Sequence, residues 1–304
     1  MEKFYRPLAD QLGIWLVYEI DDVLSFNDIP DYNLAKPYFN PERIGNSVEK
    51  ILSLVDIITV TTDEMKELYS SRFNVPKSKI IVIPNYLPRW WIGESFNLDK
   101  QLQQWDKQHK KPNISFCCSV NHFDVNNKNA GVDDFTQLIP WIRNNLEKYN
   151  FSFVGGVPQQ LSDLVKAKKI YFQPPSDLLN YPRELQLRHM DLLVAPLIDN
   201  DFNRCKSNIK WLEFSALGIP MLGQNICTYN KYTDQVFSTP DDIDKWCERL
   251  FFSRDSKDFY ANTVIKNRRI IDGSENTSSW WLEKNIKSYH DLYSMAQKTI
   301  KIKV

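Results

Sequence analysis

The sequence predicts an α/β protein of two Rossmann-like domains, each a parallel, doubly wound sheet flanked by helices. Short apolar runs closed by Pro, Asp or Gly alternate with helix-period segments, the pattern of strands buried on both faces. Residues 95–111, rich in Gln, Lys and Asp and followed by Pro112, interrupt that alternation and read as a polar helical connector. The chain has 304 residues and is 42% apolar, enough for two cores of ordinary size. The expected division is a first domain over residues 1–95, a linker over 96–112, a second domain over 113–275 and a terminal helical segment over 276–304.

In the first domain, a short helix is followed by an apolar strand over residues 14–20 that ends in Asp21-Asp22. Further strands are expected over 56–62 and 80–85, with helical patterns over 41–54 and 63–72 between them. The second domain starts a new sheet over 113–120 and continues it over 151–156, which closes on Gly155-Gly156. Strands over 169–172, 192–195, 220–223 and 235–238 follow, with helices over 241–252 and 279–297. The tail from Lys298 reads as a solvated end, with a phosphate-contacting tail as the other possibility.

The stretch from Asn203 to Pro220 is a helix between two strands, with Ser207 or Asn203 able to cap its first turn and Gly218 placed to end it. At about 100° per residue, Lys206, Lys210, Glu213 and Leu217 fall within roughly 40° of one line, while Ile209, Leu212 and Ala216 form a core stripe. Two cations and a carboxylate then share the N-terminal end of a helix that follows a strand, the usual phosphate crevice of an open parallel sheet. Lys206, Ser207 and Lys210 would meet a diphosphate and Glu213 would accept from ribose hydroxyls; an ordinary solvated Lys–Glu pair is the plainer alternative.

Composition removes other classes. Lys plus Arg equals Asp plus Glu at 38 each, so net charge points to no polyanion partner. Five cysteines without a Cys-x-x-Cys and four scattered histidines make no zinc framework, and no metal is expected. Cys117-Cys118 read as buried thiols suited to a reducing cytosol. No apolar run approaches roughly 18 residues and the start lacks a signal peptide's apolar region, so a cytoplasmic protein without membrane insertion is expected. No Gly-x-Gly-x-x-Gly or Walker loop occurs among the nine glycines.

The segment from Asp199 to Pro220, Asp-Asn-Asp-Phe-Asn-Arg-Cys-Lys-Ser-Asn-Ile-Lys-Trp-Leu-Glu-Phe-Ser-Ala-Leu-Gly-Ile-Pro, resembles the donor segment of GT-B glycosyltransferases. The likeness is to the retaining, glycogen-synthase-like superfamily, and closest to a group found in large tailed bacteriophages and some bacteria. It extends over residues 15–229, with Ile-Asp-Asp, Thr-Val-Thr-Thr-Asp-Glu-Met and Val-Ile-Pro-Asn in the family's order. In that family Glu-x7-Glu contacts the donor; Glu213 matches the second glutamate and Cys205 stands at the first. An Arg-x4-Lys-Gly pair holds the diphosphate; Lys128 matches the lysine, Phe123 falls at the arginine, and His122 is the nearest substitute. The resemblance also implies that the turn at Gly155 lies near the nucleotide, that the last helix crosses back onto the first domain, and that this domain lacks its first half.

The resemblance implies transfer of a hexosyl or pentosyl group from a nucleoside-diphosphate sugar, a UDP-sugar, with retention and with no cofactor beyond that donor. Positioned cations would stabilise the departing diphosphate. Asp21 and Asp22, at the carboxyl end of a strand, would accept or orient the acceptor hydroxyl's proton; a helix cap or a turn is the plainer reading. The acceptor would be a 5-hydroxymethylpyrimidine in phage DNA or a surface glycan, and Arg89, Trp90, Trp91, Lys107, Lys110 and Lys111 could edge a DNA channel. Trp90-Trp91 and Trp280-Trp281 otherwise read as hinge packing. Two other functions fit the residues: a non-catalytic nucleotide- or sugar-binding module, and a sugar-nucleotide epimerase that interconverts donors with no acceptor; if phage-encoded, the protein would work in the host cytoplasm.

Overall fold

The computed structural model describes residues 4–302 except 92–96, 100–101, 104, 106–110, 126–131, 178, 189 and 274–277, and leaves the side chains of 91, 186–187 and 296–302 undescribed. Most of the connector and Lys128, with Lys107 and Lys110, therefore lie outside the described residues.

The first lobe holds three parallel strands in the order β1-β2-β3: β1 (Val17–Ile20), β2 (Ile57–Val60) and β3 (Ile80–Val82). β2 is apolar and β-branched, lies at the centre and is buried throughout. β1 is shorter than the apolar run 14–20 suggests. It occupies an edge, so Ile14 and Val17 stay exposed. The Asp56 carboxylate ties this edge down, accepting from the Leu16 amide at 2.8 Å and from Arg6 at 2.8 Å. The pattern over 41–54 is two helices, Pro41–Ile44 and Ser47–Leu54, because Gly45 at φ 57° turns the chain between them. Helix Asp63–Arg72 matches its expected span, started by the Thr62 hydroxyl accepting from the Met65 amide.

The second lobe is a six-stranded parallel sheet in the order β6-β5-β4-β7-β8-β9. Its strands are β4 (Asn113–Cys118), β5 (Asn150–Gly155), β6 (Tyr171–Gln173), β7 (Leu192–Ala195), β8 (Met221–Gln224) and β9 (Val236–Phe237). Alternate residues feed opposite faces: Ile114, Phe116, Leu192 and Val194 join one core layer, Cys117, Leu193 and Ala195 the other. The order reverses between β4 and β7, which makes that gap the topological switch point where open α/β sheets bind ligands.

Helix Ile209–Leu217 packs over the second layer and ends at Gly218, φ 75°, as expected. It is buried nearly all round: Trp211, Leu212, Phe214, Ser215, Ala216 and Leu217 are all interior, so Leu217 belongs to the core and not to the cationic face. Neither Ser207 nor Asn203 caps it. Its first turn follows Asn208, which provides no side-chain cap, and Asn203 sits in a separate turn of helix, Asp201–Arg204. The expected helix over 241–252 is α-helical over Pro240–Cys247, opened by a Thr239–Asp242 capping box, and π-helical over Glu248–Phe252. Sequence periodicity gave no notice of helix Ser256–Asp272, whose buried face includes the polar Thr263 and Asn267.

The lobes meet along two lines. In the first, Phe202 and Cys205, carried by the second lobe, are buried in the first lobe's core cluster, and the Thr62 hydroxyl donates to the Cys205 carbonyl at 2.9 Å. In the second, Leu87 exchanges backbone bonds with Trp280 at 3.0 Å and Leu282 at 2.8 Å. Trp281 is buried there, donating to Asp272 at 2.7 Å beneath the guanidinium groups of Arg268 and Arg89. Trp280 and Trp281 are thus hinge packing, whereas Trp90 is exposed. Helix Leu282–Ile302 leaves this joint with Glu283 accepting from the Arg89 amide at 2.9 Å. Among the described residues no helix is long and apolar enough to cross a membrane.

Candidate active site

The switch point opens toward the first lobe. Its walls are the turn after β4, Ser119 to Phe123, the turn after β7, Pro196 to Asn200, and the start of helix Ile209–Leu217. A small cavity between them is lined by Cys117, Cys118, His122, Ala195, Lys210 and Tyr229.

Most of the expected donor residues gather here. Lys210 reaches under the sheet edge and donates to the Cys117 carbonyl. Lys206 lies with its ammonium over the Phe202 ring at 4.9 Å. Burial holds that ammonium below the ordinary lysine range; Asp22 and Asp134 pull it back up, and Lys210 adds to the lowering. Burial likewise raises the Glu213 carboxyl to about 7, opposed by Lys210. Tyr181 stands near enough for the Glu213 charge to help keep its phenol protonated, after burial.

The His122 ring lies between these cations and a carboxylate. Its Nδ1 is 2.8 Å from Asp134 Oδ2. Burial brings it down to about 4, with Lys206 and Lys210 acting the same way and the Asp134 bond acting against them, so the imidazole is neutral near pH 7. Across the gap, partial desolvation raises the Asp22 carboxyl above its usual range, Asp21 adds to this, and Lys206 and the Val23 amide offset it. Asp22, exposed like Asp21 beside it, thus stands at the carboxyl end of β1 within electrostatic reach of Lys206 on the cationic wall.

Ser207 and Gly155 are placed differently from the rest. The Ser207 hydroxyl accepts from Asn85 Nδ2 at 2.7 Å and so joins the lobes. A Cβ on Gly155, φ 96°, would sit 2.4 Å from the Cys118 carbonyl oxygen, and one on Gly156 would sit 2.8 Å from the Phe123 ring. This glycine pair lets the ends of β4 and β5 close together, which is the tight-turn role. Cys205, where the resemblance puts a glutamate, is a packing residue at the lobe joint.

Three participants escaped the sequence: Asp134, Tyr32 and Tyr181. Asp134 is buried and accepts from the Tyr32 hydroxyl at 3.0 Å, the Ile198 amide at 2.8 Å and Asn203 Nδ2 at 2.9 Å as well as facing His122. The available signal was the Asp133-Asp134 pair closing an Asn-rich loop, which reads as a helix start. Only Asp133 serves that way, accepting from Phe135 and Thr136 ahead of helix Leu138–Asn144. Among the described residues no cluster of three or more His, Cys, Asp or Glu could hold a metal ion.

Two Rossmann-like lobes with a cationic crevice at the second lobe's switch point define the GT-B fold. The chain superimposes on solved glycosyltransferases. Anabaena Alr3699/HepE, solved in complex with UDP and glucose, is 11% identical with a TM-score of 0.62, covering 95% of this chain and 74% of that one. WaaG, a glycosyltransferase involved in lipopolysaccharide biosynthesis, is 12% identical with a TM-score of 0.56 over 90% and 73%. A glycosyltransferase from Rickettsia africae ESF-5 is 12% identical with a TM-score of 0.53 over 93% and 70%. At these identities the likeness is one of fold. No protein-family model matches the chain, and no curated protein matches it.

Proposed function

We propose that the protein is a glycosyltransferase that binds a nucleoside-diphosphate sugar, a UDP-sugar, against its second lobe and passes the sugar with retention to an acceptor hydroxyl near Asp21 and Asp22. The observation that carries this is the convergence of Lys206, Lys210, His122 and Glu213 at the switch point, with Asp22 on the opposite wall close enough to bias Lys206. Lysines held in a partly dry cleft stabilise a departing diphosphate more than solvated ones would, with no metal required for that charge. Glu213, near Tyr181, suits ribose hydroxyls. Lys128 would add a further cation, as the family resemblance implies. The UDP complex of Alr3699/HepE is consistent with the choice of base.

The acceptor is a 5-hydroxymethylpyrimidine of phage DNA or a surface glycan, and the reaction belongs to the cytoplasm. A salt-sensitive association with duplex DNA supports the first acceptor; no association supports the second. The burial of Cys205 favours one competing reading, a binding module that has lost a donor-sugar contact.

Calorimetry with UDP, followed by assay for nucleoside diphosphate released from UDP-sugars, tests the proposal. Lys206→Ala and Glu213→Ala should each weaken UDP binding by at least about 1 kcal/mol, as expected for charged hydrogen-bond partners. Unchanged affinity in both would sink the donor site, and binding without turnover on any acceptor would favour the module.

A further inference from the structure

Asp134 is 2% exposed, and four donors from four segments converge on it. Oδ1 accepts from the Tyr32 hydroxyl of the first lobe (3.0 Å), the Ile198 amide after β7 (2.8 Å) and Asn203 Nδ2 in the Asp201–Arg204 helix (2.9 Å). Oδ2 faces His122 Nδ1 after β4 (2.8 Å). Tyrosine, amide and backbone groups each bring a hydrogen and all three meet Oδ1, so an ionised Asp134 leaves Oδ2 to accept from the ring. With that charge on Asp134, the facing imidazole nitrogen, Nδ1, carries the ring's proton. That leaves Nε2 as the lone-pair nitrogen, without a hydrogen-bond partner among the described residues, in a ring whose charged neighbours are Asp134, Lys206 and Lys210.

We infer that Asp134 is the positioning residue of this site: it fixes the tautomer and direction of His122 and ties that ring to the donor loop and to Tyr32 of the opposite lobe. This rests on the donor-site reading proposed above. An aspartate confined to core packing would not need four donors from separate walls of one crevice. Asn203 reinforces the arrangement, bonding Tyr32 at 3.3 Å and the Ile198 carbonyl at 3.0 Å besides Asp134. One carboxylate thereby sets the geometry of three cleft elements at once, so its loss should act on the ligand and on the ring, not only on stability.

The test is Asp134→Asn, which keeps the shape but offers one acceptor oxygen and two unwanted donors. Side-chain nitrogen NMR reads the tautomer directly, and His122→Gln identifies the signal. In the unmodified protein the His122 ring should be the neutral Nδ1–H form at pH 7.5; in Asp134→Asn it should move toward the commoner Nε2–H form. UDP affinity should fall about tenfold in Asp134→Asn, and by less than about threefold when the same change is made in His122→Gln, the coupling expected of a residue that acts through another.

A native Nε2–H ring overturns the inference without any variant, which covers the case in which Asp134→Asn does not fold. UDP affinity within about twofold of the parent in a folded Asp134→Asn overturns it too. Failure of the parent protein to bind UDP would instead count against the donor site, while the tautomer would still report on Asp134.

Discussion

Glu213 combines two demands that oppose each other. Its carboxyl is raised to about 7 because folding removes it from water, so the folded state holds a proton that the unfolded chain has released. Stability from this group is fully present below the unfolded pKa of about 4.5 and is lost as pH rises through about 7. Glu213→Gln should therefore be more stable than the parent by ~2 kcal/mol at pH 8, with the difference vanishing near pH 5. Thermal melts across that range check it; a gap independent of pH would mean that the carboxylate is not desolvated. The same substitution should weaken UDP binding, a trade of stability for function. At this scale the sequence was informative where chemistry is local: counting alone pairs Lys210 with Glu213 on helix Ile209–Leu217, whereas Lys206 precedes that helix and reaches the cleft from the turn after Asp201–Arg204. It was silent about Asp134 and Tyr32, separated by 102 positions, because nothing short-range marks a partnership made by lobe closure.

Elements were legible in proportion to their burial. β2, β4, β5, β7 and β8, apolar and interior, lie close to the runs that predicted them, while the edge strands β1, β3, β6 and β9 are displaced or shortened. Edges receive less packing, so periodicity there is weaker. Helix Ser256–Asp272 carries polar residues on its buried side, among them Asn267, which pairs with Gln235 at 2.7 Å and so disguises the inward face. The glycines show the same contrast between local and tertiary cause. Gly155→Ala drives a Cβ against the Cys118 carbonyl at 2.4 Å in addition to its positive φ and should cost ~3 kcal/mol. Gly45→Ala meets no atom within 4 Å, but φ 57° with ψ −134° lies outside the left-handed helical well, so backbone strain alone should cost ~2 kcal/mol. Chemical denaturation of both variants measures the difference. Equal losses would show that the β4–β5 turn yields to the extra atom.

The presence of two separate sheets was readable from the alternation of runs, since each sheet needs its own helices. How the lobes close was not. Cys205 is the clearest case: as a motif position it suggests a lost sugar contact, and in three dimensions it is part of the first lobe's interior, with Phe202 beside it. Small-angle scattering of the free protein should already fit the closed arrangement, and saturating UDP should leave the radius of gyration unchanged. A contraction on adding UDP would mean that the lobes separate in solution.

The Phe202 ring and the Cys205 thiol bear on how ligands come and go. Were the cleft to gape, both would be drawn out of hydrocarbon into water, an expense of about 2–4 kcal/mol that keeps wide-open conformers to a few per cent or fewer. If the protein carries out the reaction proposed above, a nucleotide would enter and leave such a molecule by threading past local turns, and the spent diphosphate should linger after the sugar has gone.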